Sequence, residues 1–88
     1  MRDKKVPLFT RAREARTRKK MASVHTAHRT KRSLTLEACA QRAKITPTRL
    51  ERIENGKGHF TLDDLFALSE AFRLRPSTLI KRIDEAVR

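Results

Sequence analysis

The 88-residue chain has neither tryptophan nor tyrosine, and it has only one cysteine, two glycines and three prolines. The lone Cys39 cannot close an internal disulfide, so small stapled extracellular scaffolds are excluded. Both glycines, Gly56 and Gly58, sit in one loop. That excludes a glycine-rich phosphate cradle and removes the usual punctuation of β-hairpins. No apolar run approaches the ~20 residues of a membrane-spanning helix. No secretory leader pattern opens the chain, so the expected setting is the cytoplasm. Acid pairs and activated nucleophiles in a recognisable frame are missing too, and a chain this short has little room for a pocket with supporting groups behind it. An enzyme is therefore not expected, and binding is.

What the sequence has is positive charge: 22 Lys and Arg against 10 Asp and Glu, a net charge of +12. Residues 1–33 carry 12 of the basic and 2 of the acidic side chains, whereas residues 34–88 carry 10 and 8. The charge is thus concentrated in the first third, around RAREARTRKK from Arg11 to Lys20. Unpaired like charges resist compaction, so residues 1–20 read as a basic arm, flexible or partly helical, ahead of a folded domain over 21–88. A solubilising tail would account for such a run. A polyanionic partner accounts for its density better, and Arg11, Arg13, Arg16, Arg18, Lys19 and Lys20 are the residues that would meet it. Leu8, Phe9, Met21 and Val24 do not form the wide apolar stripe of an interfacial helix, so no membrane partner is expected.

Beyond the arm, helix starts recur. Thr35, Thr46 and Thr61 each precede an apolar-periodic segment, and each hydroxyl can accept from the free N–H groups of the following turn. The flanking pairs Leu34 with Cys39, Ile45 with Leu50, Phe60 with Leu65 and Leu74 with Leu79 have the spacing of hydrophobic staples. Pro47 and Pro76 stand at first helical positions, where a missing N–H is harmless. Asn55-Gly56 supplies the left-handed residue that stops the helix begun at Pro47. The expected fold class is all-α, a compact bundle of four to five short helices. Its inward residues are Leu36, Cys39, Ala40, Ala43, Ile45, Leu50 and Ile53, then Leu62, Leu65, Phe66, Leu68 and Phe72, then Leu79, Ile80, Ile83 and Val87. Two short helices meet across a turn of about three residues at 44–46, which is a helix-turn-helix arrangement.

These residues resemble a known family. From about Met21 to Ile80, LTLEACAQRAKITPTRLERIENGKG followed by TLDDLFALSEAFRLRPSTLI is similar to the DNA-binding domain of the Xre family, the lambda-repressor-like group that includes phage Cro proteins and phage repressors. The specific points are Leu34-Thr35 at the opening of the second helix, Ala40 where the two motif helices cross, Ile45 in the turn, and Ile53-Glu54-Asn55-Gly56-Lys57 at the end of the recognition helix.

The resemblance implies roles residue by residue. Base edges would be read from Pro47, Thr48 and Arg52, with Arg52 able to take guanine bidentately, a contact worth ~1–3 kcal/mol of discrimination. Thr46, Arg49, Asn55 and Lys57 would meet phosphates, which positions the protein without reading sequence. Thr46 and Asn55 would also be needed as caps in a protein that never met DNA. Arg29 would pair with Glu54 to orient the helices. The implied function is a sequence-specific transcriptional regulator, a repressor, working as a homodimer on an inverted repeat of double-stranded DNA. Ile80, Ile83 and Val87 would supply the dimer surface.

Two other readings remain open: an antitoxin-like or phage adaptor whose arm binds an additional protein partner, and a non-specific nucleic-acid binder. The sequence also departs from the family. Leu36 stands where glutamine is usual, Lys44 where glycine is usual, and His25 and His28 where large apolar residues are usual. Those histidines, with Cys39 or His59, invite a zinc reading. No second local ligand pair supports it, so neither metal nor cofactor is expected.

Overall fold

The computed structural model describes residues 14–88, with side chains from Arg16 onward. Arg11 and Arg13 of the expected arm therefore lie outside the described residues. Five helices follow one another: α1 (Glu14–Lys31), α2 (Leu36–Ala43), α3 (Pro47–Glu54), α4 (Leu62–Phe72) and α5 (Pro76–Val87). No helix among the described residues is long and apolar enough to cross a membrane. The structure has the expected all-α architecture. The expected boundary between residues 20 and 21 falls inside α1, which runs without interruption from Glu14, so Arg16, Arg18, Lys19 and Lys20 stand on a helix.

The starts follow from the threonines. Thr35, Thr46 and Thr61 take extended backbone, and their hydroxyls accept from the N–H groups of Ala38 (3.0 Å), Arg49 (3.0 Å) and Asp64 (3.2 Å). Asp64 returns the bond, its carboxylate accepting from the Thr61 N–H at 2.9 Å, so α4 opens on a full capping box.

The stops share one device. Ser33, Lys44, Gly56 and Arg73 adopt left-handed backbone with φ between 55° and 70°. The next residue in each case donates back to the helix: Leu34 to Arg29, Ile45 to Ala40, Lys57 to Arg52 and Leu74 to Ser69. At the third of these stops the left-handed residue is Gly56 (φ 70°); Asn55 stays at φ −95°. Only Gly56 takes that conformation without strain, whereas Ser33, Lys44 and Arg73 each cost roughly 1 kcal/mol. Leu34, Ile45 and Leu74 close one helix and staple the start of the next, all three half-buried against the core. That double use lets the turns be so short.

Leu50, Leu65, Leu68, Phe72, Leu79 and Cys39 form the fully buried centre, joined by Met21, Ala40, Ala43, Ile53, Phe60, Ala71 and Ile83. Three core expectations are corrected here. Leu62 and Phe66 are 42% and 52% exposed and Ile80 is 48% exposed. On α4, apolar side chains surround most of the helix, so periodicity alone does not choose the inward face; Leu65, Leu68 and Phe72 take it.

Ile83 is corrected in the opposite sense. At 5% exposure it belongs to the core of a single chain and is not available as a dimer surface. The reason is that α5 packs on both α1 and α4, so the turn beyond Leu79 is still covered. Val87 is half-buried against the same core, which leaves Ile80 as the exposed member of that trio.

Candidate nucleic-acid interface

α3 spans only eight residues, Pro47–Glu54. Leu50 and Ile53 anchor its inner side. Pro47, Thr48, Glu51, Arg52 and Asn55 are exposed on the other. An eight-residue helix is marginal alone. Here α2 and α1 both pack against it.

Its orientation is set by a bidentate ion pair. Arg29 on α1 donates from Nε to Glu54 Oε2 (2.7 Å) and from Nη2 to Oε1 (3.0 Å), while its Nη1 donates to the Leu34 carbonyl (2.9 Å). The pair is mostly shielded, with the Arg29 and Glu54 side chains 18% and 8% exposed. The hydrogen bonds to Glu54 raise the Arg29 pKa further, against the desolvation that would lower it. One guanidinium thus joins α1, the α1–α2 turn and the end of α3, and planar geometry of this kind cannot be supplied by lysine.

The sequence-derived residues divide once the geometry is known. Thr48 and Arg52 lie on the exposed face, and Arg52 folds its guanidinium over the loop, within 4.0 Å of where a Cβ on Gly58 would stand. Pro47 is exposed at the first turn, where it offers shape and apolar contact only. Asn55 and Lys57 are exposed at the far end. The Thr46 hydroxyl is engaged as the cap of α3. Arg49 stands apart from the others: its guanidinium pairs with Asp64 and donates to the His59 carbonyl (3.2 Å), tying α3 to α4 instead of reaching outward. Leu36, where an amide would have faced outward, is half-buried against the core.

Several arginines prove to be internal fasteners that the sequence did not single out. Arg32 donates from Nε to the Phe72 carbonyl (2.9 Å) and lies over the Phe72 ring, and Arg42 donates to the Ala71 carbonyl (3.4 Å). Carbonyls at the end of α4 are natural acceptors for cations. Arg73 just beyond is left-handed and ends α4 there, but a non-glycine at that stop gave the sequence no signal of it.

The histidines are separated by what they pack on. His25 is fully buried and stacks on Phe60 (4.7 Å between centroids), whereas His28 stacks on Phe72 (5.5 Å) and meets Arg32 through Nδ1 (3.1 Å). Among the described residues no three His, Cys, Asp or Glu side chains gather as a metal site would require. Cys39 is buried and burial pushes its thiol pKa up, away from the reactive thiolate.

Comparison with known proteins agrees with this geometry. The family model HTH_3, helix-turn-helix, matches residues 27–79. Among solved structures, the chain superposes on the clp gene regulator ClgR from C. glutamicum with a TM-score of 0.72 at 15% identity, covering 82% of this chain and 94% of that one. The wild-type restriction-modification controller protein C.Esp1396I gives 0.73 at 15% identity over 81% and 92%. An HTH_3 family transcriptional regulator from Vibrio cholerae gives 0.70 at 22% identity over 77% and 38%. No curated protein sequence matches the chain.

Proposed function

Since the chain belongs to the HTH_3 helix-turn-helix family, we propose that it is a sequence-specific transcriptional regulator whose α3 reads the major groove of double-stranded DNA. The observation that carries this is the outward face of α3, with Thr48 and Arg52 exposed on a helix whose rotation is locked by Arg29–Glu54 and by Leu50 and Ile53. Side chains presented at fixed angles from a helix of groove-fitting width are what base readout needs. Asn55, Lys57 and the residue 1–20 arm take phosphates in this reading, and Arg49 acts as a brace for α3. ClgR and C.Esp1396I, the solved neighbours, are described as a gene regulator and a controller protein, which supports the same reading.

Two copies on an inverted repeat would give enough contact for operator affinity, because one recognition helix reads only a few base pairs. The surface for that pairing is reassigned to Leu62, Phe66 and Ile80, exposed apolar side chains on two packed helices. Leu62 and Phe66 lie one turn apart on α4. Ile80 lies on the flank of α5 away from Arg82, whose own side borders α1. A dimer held there and seated over a promoter would exclude polymerase and repress, whereas one seated beside it could touch polymerase productively; repression is the form of the reading proposed here.

The test is selection of bound fragments from random duplex DNA, followed by Arg52→Ala. The variant is expected to lose about tenfold or more on the selected sequence and to relax preference at one base position per half-site. On scrambled DNA its affinity should change little. Equal losses on both would remove Arg52 from base readout.

A further inference from the structure

Residues 14–26 precede the family match, yet α1 carries them directly against the recognition helix. Arg18 Nε donates to the Gly56 carbonyl (3.3 Å), and a Cβ on Gly56 would stand 3.4 Å from the backbone of both Arg18 and Lys19. The first half of α1 is therefore docked on the loop that ends α3. On the side of α1 beside α3, Lys19, Ser23, Thr26 and Thr30 follow one another at spacings of four, three and four residues, a single ridge along the helix. Between this ridge and the end of α3 runs an open groove lined by Lys19, Ala22, Ser23, Thr26, Glu54 and Asn55. Ala22 is buried and keeps its floor low, and the Glu54 charge is already matched by Arg29.

We propose that this ridge and groove bind the sugar–phosphate strand bounding the major groove in which α3 lies. The proposal rests on the DNA reading given above and adds a second, rigid contact surface to it. Packed helices sit ~8–10 Å apart, and the major groove is ~12 Å wide. A helix flanking the one in the groove thus presents its near ridge to the strand at the edge. The chemistry fits a phosphodiester. Lys19 brings a cation and Asn55 an amide.

Ser23 and Thr30 donate their hydroxyl hydrogens within α1, to Lys19 O (3.2 Å) and to Thr26 O (3.0 Å) and Ala27 O (3.2 Å). Each of those hydrogens can rotate to an anionic oxygen, a stronger acceptor than a carbonyl already bonded in a helix. Contacts of this kind carry no sequence information, so the ridge contributes affinity and register, not preference.

The experiment pairs the protein with a selected duplex in which methylphosphonates neutralise, a few at a time, the phosphates bounding the half-site. One short run is expected to cost the wild type about tenfold. Lys19→Gln combined with Ser23→Ala should lose a similar factor on ordinary DNA, lose nothing further on that neutral run, and lower the slope of log affinity against log salt by about 1. Sequence preference should be unchanged. If the wild type selects a sequence but is indifferent to every neutral run outside the bases read by α3, or if wild type and variant lose equally on the same run, the groove does not hold DNA and the α3 reading stands. A wild type that selects no sequence fails the reading beneath, and the groove with it. Positions 19 and 23 are exposed, so the variant should melt like the wild type by circular dichroism; the wild-type scan decides the matter even if it does not.

Discussion

Lowering the pH from 7 to 4 is expected to remove about 3 kcal/mol of folding stability through one side chain, His25. The imidazole is fully buried and stacked on Phe60, and neither ring nitrogen has a hydrogen-bond partner among the described residues. Burial in that setting penalises the charged ring, the neighbouring His28 penalises it further, and Asp64 offsets only part of this, so its pKa falls from 6.5 to about 4. The sign follows from which state takes up the proton first. Below 6.5 the unfolded chain protonates while the folded chain does not, so the stability is fully present above 6.5, is lost as the pH falls, and levels off below about 4. His28, also lowered by desolvation and by Arg32, Arg82 and Lys31, adds in the same direction.

Replacing His25 with Leu should flatten this dependence, and at neutral pH it should cost little, because an unpaired buried polar group is exchanged for an apolar one. Urea melts of both proteins between pH 4 and 7 decide it. A His25→Leu protein that loses as much stability as the wild type over that range would place the acid sensitivity in the carboxylates instead.

That histidine also shows where the sequence stopped being legible. The helix starts could be read because a threonine hydroxyl and a staple act within six residues, and local geometry is all they require. The recognition helix followed from the same logic, down to Pro47 and Glu54. The first helix could not be read that way. Its buried side is made from Met21, Ala22 and His25, with Val24 the one half-buried apolar side chain beside them among the described residues, and it carries charge through most of its first two turns. Long-range partners decide it: Gly56 for Arg18, Phe60 for His25, Glu54 for Arg29 and Phe72 for Arg32.

The exposed positions of α4 and α5 were illegible for a related reason. Leu62, Phe66 and Ile80 are as apolar as Leu65, Leu68 and Leu79, and only the placement of the neighbouring helices tells them apart. The arginines show the same limit. Arg49 and Arg52 are three residues apart and alike in sequence, yet one is fastened to Asp64 and the other is left on the outward face.

The distinction between covered and uncovered apolar side chains leads to the other large expected effect. Ile83→Asp should leave no cooperatively folded protein at 25 °C. Removing the buried Ile side chain costs ~2–5 kcal/mol, and a carboxylate placed there has no partner, which adds several more. A domain of this size has about 5 kcal/mol to lose. Phe66→Glu, a comparable apolar-to-acid change on α4 but at a side chain 52% exposed, should change the stability of the single chain by only about 0.5 kcal/mol. If Leu62, Phe66 and Ile80 form the seam between two copies, the same substitution places a pair of carboxylates near the two-fold axis and should yield a folded monomer that binds a full inverted repeat far more weakly than the wild type, with half-site binding retained. Sedimentation and circular dichroism on the two variants separate the roles. A folded Ile83→Asp protein would contradict the packing of α5 on α1 and α4, and a Phe66→Glu protein that stays dimeric would move the seam off this patch.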